Sequence, residues 1–434
     1  MKPGIPKGWD GMEFIRRYDL MKNGLIKSGM GNYYSVTSLL DQLGNKTYYL
    51  QGRRIENFKI SNANDMYVTN GWENDKNTSL SGLVDIYRNI KAGDITLLTD
   101  YTRPLYVAVK LRSKVVHTGE VTTADFFLVN EGVLPASKGT LVVSYVAPDG
   151  SEKIIKKVDN LSIKGGDVFA DLLFEGLEVT VSEQPGYSKV KAGFFLDDNR
   201  IIRGQDDIFS VNWKDTKLPR NGAVFGDDKF INPFLSKEFG FELPKYNASL
   251  KDLSYIICYG SSIRDLPADL LNRVKQEGIR LILPEAEKAE CEKLYELGVL
   301  EEPGKWRSMN GGSWIGGSYF HGKDKILEGL PEERVWNWEL HKAYLHPTEW
   351  DGSIERYVYT AELKNIKPIV AAWNGESPDV FFNTALFAKK FGRGIILISN
   401  IPMMKSLTTS EKGTDTLIKL FVNLIVNEPD LVNE

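Results

Sequence analysis

Cysteine and histidine are scarce in this 434-residue chain. It has two cysteines, Cys258 and Cys291, and four histidines, His117, His321, His341 and His346. Two cysteines make neither a disulfide framework nor a zinc quartet, and they leave the redox compartment open. Four scattered histidines restrict metal and triad chemistry, and neither His117 nor His321 has a second ligand at metal spacing. No stretch approaches 18 consecutive apolar residues, which excludes a membrane-spanning helix. The opening MKPGIPKGWDGMEF lacks the apolar core of a signal peptide. Neither charge sign dominates: the net charge is −4 with acids and bases interspersed, so no basic face for nucleic acid or anionic lipid is expected. What is plentiful is aromatic: 9 Trp, 19 Tyr and 20 Phe. Such rings suit both sugar stacking and large cores. At 42% hydrophobic and 26% charged the chain is globular rather than disordered. Its length predicts about three domains.

The pattern changes twice along the chain. Residues 1–100 read as helical. An amphipathic stripe over Trp9–Met30 carries Phe14, Ile15, Tyr18, Met21 and Leu25, and Asp10 and Glu13 stand at capping-box spacing. A second helix is expected from Val36 to Ile60, interrupted at Gly44. A β-like piece, Asp65–Glu73, and a stretch at Gly82–Arg88 follow. This is too little to close a sheet, so partner strands are expected before Met1. From Pro104 the period becomes two. Strands are predicted at 105–112, 119–130, 140–146, 152–158, 167–174, 178–182, 189–196 and 199–213, an antiparallel sandwich of immunoglobulin type. Val107 and Val109 share one face, with the other face expected to be wet. A linker at 214–228 leads to alternating strands and helices: Tyr255–Tyr259, Leu266–Glu277, Ile279–Leu283, Ala286–Leu297, Pro368–Trp373, Gly394–Ser399 and Thr414–Asn427. That alternation predicts a mostly parallel sheet with helices on both faces.

The turn Asn70-Gly-Trp-Glu73 closes the β-like piece, where barrel enzymes place binding residues. Trp72 offers a flat face to a sugar ring, and Asn70 and Glu73 offer hydroxyl acceptors. Packing of Trp72 is the competing reading from pattern alone. The runs WDGMEFIRRYDL, YYLQGRRIENFKISN, NGWE and SGLVDIYRN resemble the tail of the barrel in bacterial β-galactosidase-like members of glycoside hydrolase family two. RPLYVAVKLRSKVVHTGE and DFFLVNEG resemble the immunoglobulin-like domain that follows it. IICYGSSIRDLPADLLNRVKQEGIRLILPE is similar to an appended amidotransferase-like α/β domain. The resemblance implies a partial (β/α)8 barrel over 1–100, a sandwich over 101–214 and the α/β domain over 215–434.

It also implies carbohydrate as ligand and Trp72, Asn70 and Glu73 as substrate-binding residues. No cofactor or metal is implied. As partner it implies a polypeptide bearing the rest of the barrel, or a homo-oligomer; neither nucleic acid nor membrane is expected. The setting it implies is periplasmic or extracellular. Retaining glycosidases need two carboxyls about 5–5.5 Å apart. The family places them on earlier barrel strands, so they are expected upstream of this chain. The alternative is a non-catalytic carbohydrate-binding or assembly module. Asn130-Glu131 stands at a strand end within the sandwich and reads as a turn. Cys258 ends a strand without the flanking glycine of a nucleophile elbow, and Cys291 lies mid-helix, so no amidotransferase triad is expected. The glycine-rich Asn310–Gly317 lacks the phosphate-loop pattern, and the aromatic run Trp336–Tyr344 reads as core.

Overall fold

The computed structural model describes residues 9–63, 83, 89–166, 168–260, 265–286, 288–302, 306–310, 318–332, 335–343, 355–360, 365–374, 381–409 and 411–431. Helices α1 (Trp9–Lys27), α2 (Val36–Ser61) and α3 (Thr96–Thr102) form the first region. Ser35 starts α2 with a reciprocal cap: its Oγ accepts from Ser38 N and its own N–H donates to Ser38 Oγ, both at 3.0 Å. The helix does not break at Gly44. There the missing side chain admits the Ala92 carbonyl, whose oxygen would lie 1.8 Å from a Cβ. At the far end Asn62 takes a left-handed conformation and exchanges two hydrogen bonds with the Ala170 backbone, which fixes the helix end to the sandwich. The pieces expected at 65–73 and 82–88 lie outside the described residues, Leu83 excepted.

Period-two alternation yields eight strands: β1 (Leu105–Leu111), β2 (Val115–His117), β3 (Val121–Asn130), β4 (Ser137–Val146), β5 (Glu152–Ile163), β6 (Ala170–Thr180), β7 (Gly186–Leu196) and β8 (Ile201–Val211). They form two sheets, β1-β3-β6 and β2-β8-β7-β4-β5, antiparallel throughout except for β2 beside β8. Val107, Val109, Phe126 and Leu128 of the first sheet meet Leu141, Val143, Val190, Phe194 and Ile208 of the second in one core. Two expectations are corrected. The pieces at 167–174 and 178–182 are one strand, β6, carried through Gly176 at φ 71°. The second face of β1 is not wet: Tyr106 and Ala108 are buried in a small cluster with Val129, Ala170 and Ile60 of α2, because that helix covers the sheet.

The third region begins earlier than its hydropathy suggests. The expected linker contains β9 (Gly222–Gly226), followed by α4 (Ile231–Phe239). Then come β10 (Tyr255–Tyr259), α5 (Ala268–Glu277), β11 (Arg280–Leu283), α6 (Lys288–Glu296), β12 (Trp306–Asn310), β13 (Ser318–His321), β14 (Glu355–Thr360), β15 (Lys367–Asn374), β16 (Phe381–Phe391), β17 (Gly394–Ser399) and α7 (Asp415–Val426). Strands β9, β10, β11 and β17 run parallel in that spatial order. The sheet is mixed rather than mostly parallel, since β16 joins β17 antiparallel and carries β14 and β15 antiparallel in turn. Alternate strand residues feed opposite cores: Ile257 and Ile282 face α4 and α7, whereas Ile256 and Leu281 face α5 and α6. The molecule is thus multidomain and largely β, with several sheets and helices between them. The first region does not stand apart, because Met21, Leu25, Leu39 and Leu43 of its helices are buried with Phe320, Ala371, Trp373 and Phe382 of the third.

Candidate functional site

An open groove of about 730 Å³ lies between α2–α3 and the five-stranded sheet. Its sheet side follows from register. Phe194 and Ile202 point into the core, so Gly193, Phe195, Ile201 and Arg203 face outward. Phe195 stands opposite Ile201, and Gly193 opposite Arg203. A Cβ on Gly193 would lie 3.0 Å from the Phe195 ring, so the ring lies over the glycine. Across the groove stand Tyr49 of α2 and Tyr101 of α3.

Behind the groove lies a network of five charges. The Arg53 guanidinium bonds Glu56 and Asp206, each at 3.0 Å. Lys110 bonds Glu56 at 3.1 Å and Asn57 at 2.8 Å. Lys114 bonds Asp206, donates to the Tyr49 hydroxyl at 2.8 Å and lies 4.2 Å from the Trp338 ring centre. Glu56 and Asp206 are buried alike but titrate in opposite directions. Burial pushes the Glu56 carboxyl up despite Arg53 and Lys110. Burial also penalises Asp206, but Lys114 and Arg53 outweigh it and hold that carboxyl below its usual value. Burial, followed by the Asp206 charge, raises the Tyr49 hydroxyl, which keeps its proton to donate.

Trp72, Asn70 and Glu73 lie outside the described residues. Asn130 and Glu131 are structural. The Asn130 side chain closes the turn to Val133 and Leu134, and Glu131 pairs with Lys59 at 2.6 Å. Cys258 and Cys291 are fully buried, and burial pushes both thiols far up, so neither is a thiolate nucleophile. His117 and His321 each bring Nδ1 within hydrogen-bond distance of a neighbouring carbonyl, at 2.8 and 2.7 Å. Trp336 is core, as its run suggested; residues 311–317 and His346 are outside the described set. A smaller cavity of about 280 Å³ lies where β11 and β17 end. There one Glu285 carboxylate oxygen accepts the Met403 and Met404 N–H groups at 3.1 and 3.0 Å. The groove residues escape sequence reading because seven elements supply them; their one signal is odd-numbered outward placement on β7 and β8.

No protein-family model and no curated protein matches the chain. Among solved structures, a superoxide reductase from Ignicoccus hospitalis is similar at 7% identity and TM-score 0.18, over 24% of this chain and 80% of that one. The sporulation control protein Spo0M from Bacillus subtilis is similar at 13% and 0.20, over 26% and 51%. A family 123 glycoside hydrolase from Clostridium perfringens is similar at 8% and 0.19, over 36% and 38%. Likenesses of this size assign neither a fold nor an activity.

Proposed function

We propose that this chain is the C-terminal, carbohydrate-binding portion of a retaining β-glycosidase of β-galactosidase-like type. On this reading residues 1–100 contribute the tail of the barrel, 101–214 an immunoglobulin-like sandwich and 215–434 an amidotransferase-like domain that packs rather than catalyses. The groove between α2–α3 and the sandwich carries the proposal. It combines an outward ring, Phe195, 39% exposed, with carboxylates, a guanidinium and amide groups within one open cleft. Sugars present an apolar C–H face and a rim of hydroxyls, and a flat ring beside planar polar groups matches both.

Thermal shift of the purified chain with galactose and β-linked galacto-oligosaccharides tests this. A ligand held at one hundred times its dissociation constant adds about 2.7 kcal/mol of stability. Phe195→Ala removes only an exposed ring and is expected to weaken binding about tenfold without lowering the unliganded midpoint. Absence of a shift with every sugar tried would sink the proposal. Turnover of a chromogenic β-galactoside by this chain alone would overturn its non-catalytic part.

A further inference from the structure

We infer that the groove takes an acidic saccharide, one carrying a carboxylate or a sulfate, with Arg203 as its anion clamp and the Phe195 ring as the platform beside it. The inference rests on the carbohydrate-binding reading above and goes on to name the ligand class.

Charge accounting within the groove leads to it. Of the lining carboxylates, Glu56 and Asp206 are met by the half-buried Arg53, Lys110 and Lys114. Glu152 is met by Lys191 at 2.9 Å, Asp100 by Arg103 at 3.6 Å and Asp207 by Lys189 at 3.5 Å. Every acid in the lining therefore has a cation, and two of the three lining cations, Lys191 and Arg103, are committed to these pairs. Arg203 is the third. It is exposed, and among the described residues it has no carboxylate partner.

Its surroundings keep it so. The cross-strand neighbour is Gly193, which has no side chain to engage it, and Val142 follows on β4 in the same row. An acid at 193 would neutralise the guanidinium across the strands; glycine leaves its donors directed at the groove. A guanidinium binds carboxylate or sulfate oxygens through two parallel N–H groups, which selects a planar or tetrahedral anion over a hydroxyl. The Phe195 ring lies over that same glycine, so a sugar stacked on the ring carries its substituent toward Arg203. The molecule's net charge of −4 would repel anions in general, which makes the preference a property of this cleft rather than of the surface.

Titration calorimetry of the full chain with three tetrasaccharides at low salt tests the inference: neutral β-galactotetraose, tetragalacturonate and a sulfated galactan fragment. An acidic probe is expected to bind about tenfold tighter than the neutral one, with the advantage shrinking as salt rises. Which acidic probe leads distinguishes carboxylate from sulfate. Arg203→Ala, on an outward position where the fold does not depend on it, is expected to erase the preference, bringing the acidic probes to the affinity of the neutral one. Arg203→Lys keeps the charge without the fork and is expected to restore only part of it. Equal binding of neutral and acidic probes, or a preference that survives Arg203→Ala, overturns this inference and leaves carbohydrate binding standing. If no probe binds, the carbohydrate reading falls and this inference falls with it.

Discussion

Lys59 is 1% exposed, so its polar head must find its partners within the protein. Its Nζ lies 2.6 Å from Glu131, donates to the Arg103 carbonyl at 3.0 Å and sits 5.6 Å from the Tyr106 ring centre. Glu131→Gln keeps an acceptor but removes the compensating charge. It is expected to lower stability by about 1–3 kcal/mol in urea unfolding. That is less than stripping a fully buried pair, because Glu131 retains some contact with water. An unchanged midpoint would show that the pair contributes nothing. Lys46 gives a different prediction. Its Nζ donates to Ser318 Oγ at 2.9 Å, and burial pulls the ammonium down to about 7. The unfolded chain holds that proton to about pH 10.4. Between those values the unfolded state binds more protons, so this group makes stability rise with pH across that window and disfavours the fold below it. Urea midpoints near about pH 6.5 and about pH 9.5 should differ in that sense, and Lys46→Met should flatten the difference. A slope that survives in Lys46→Met would assign it to another group.

Within elements, close approach decides outcomes that propensity misjudges. Alanine is favoured over glycine in a helix by about 1 kcal/mol, so α2 alone predicts that Gly44→Ala stabilises. The Ala92 carbonyl oxygen, 1.8 Å from the added Cβ, reverses the sign, and a lower melting temperature is expected. A raised one would mean that the 90–94 turn yields freely. The same contrast explains what could be read in advance. The sandwich strands were legible because alternation is a local signal; Leu141, Val143 and Tyr145 point inward while Thr140, Val142 and Ser144 do not. Strand β9 was not, since Gly222–Gly226 is five residues bounded by turn formers and acquires strand character from pairing with β10. The dry second face of β1 was equally hidden: Ala108 is buried by α2, more than forty positions back in the chain. For the site, β7 and β8 could be placed from sequence, yet that Arg203 faces a glycine is a fact of register.

At the scale of the molecule, three regions that composition separates share their interiors. Around Trp338 the sandwich meets the α/β region: Lys114 packs on the indole, Tyr187 donates to Glu339 at 2.7 Å, and Trp213 donates to Asp415 at 3.0 Å. On the opposite side of the sheet α1 and α2 cover Phe320, Val335, Ala371, Trp373 and Phe382, each no more than 7% exposed. A boundary near residue 100 is therefore a change of pattern and not a line along which the chain could be divided. Burying a large apolar side chain contributes about 1.5–3 kcal/mol, so exposing the four larger ones costs about 6–12 kcal/mol, comparable to the whole stability of a typical domain. A chain starting at residue 101 is expected to bind an apolar dye, unfold at lower urea and lose solubility relative to the full chain. The groove, having lost its α2–α3 wall, should bind no sugar in that truncated chain even where its sandwich strands persist. If the truncated chain instead keeps the full chain's midpoint and its sugar affinity, the helices are an appendage and the groove belongs to the sandwich alone.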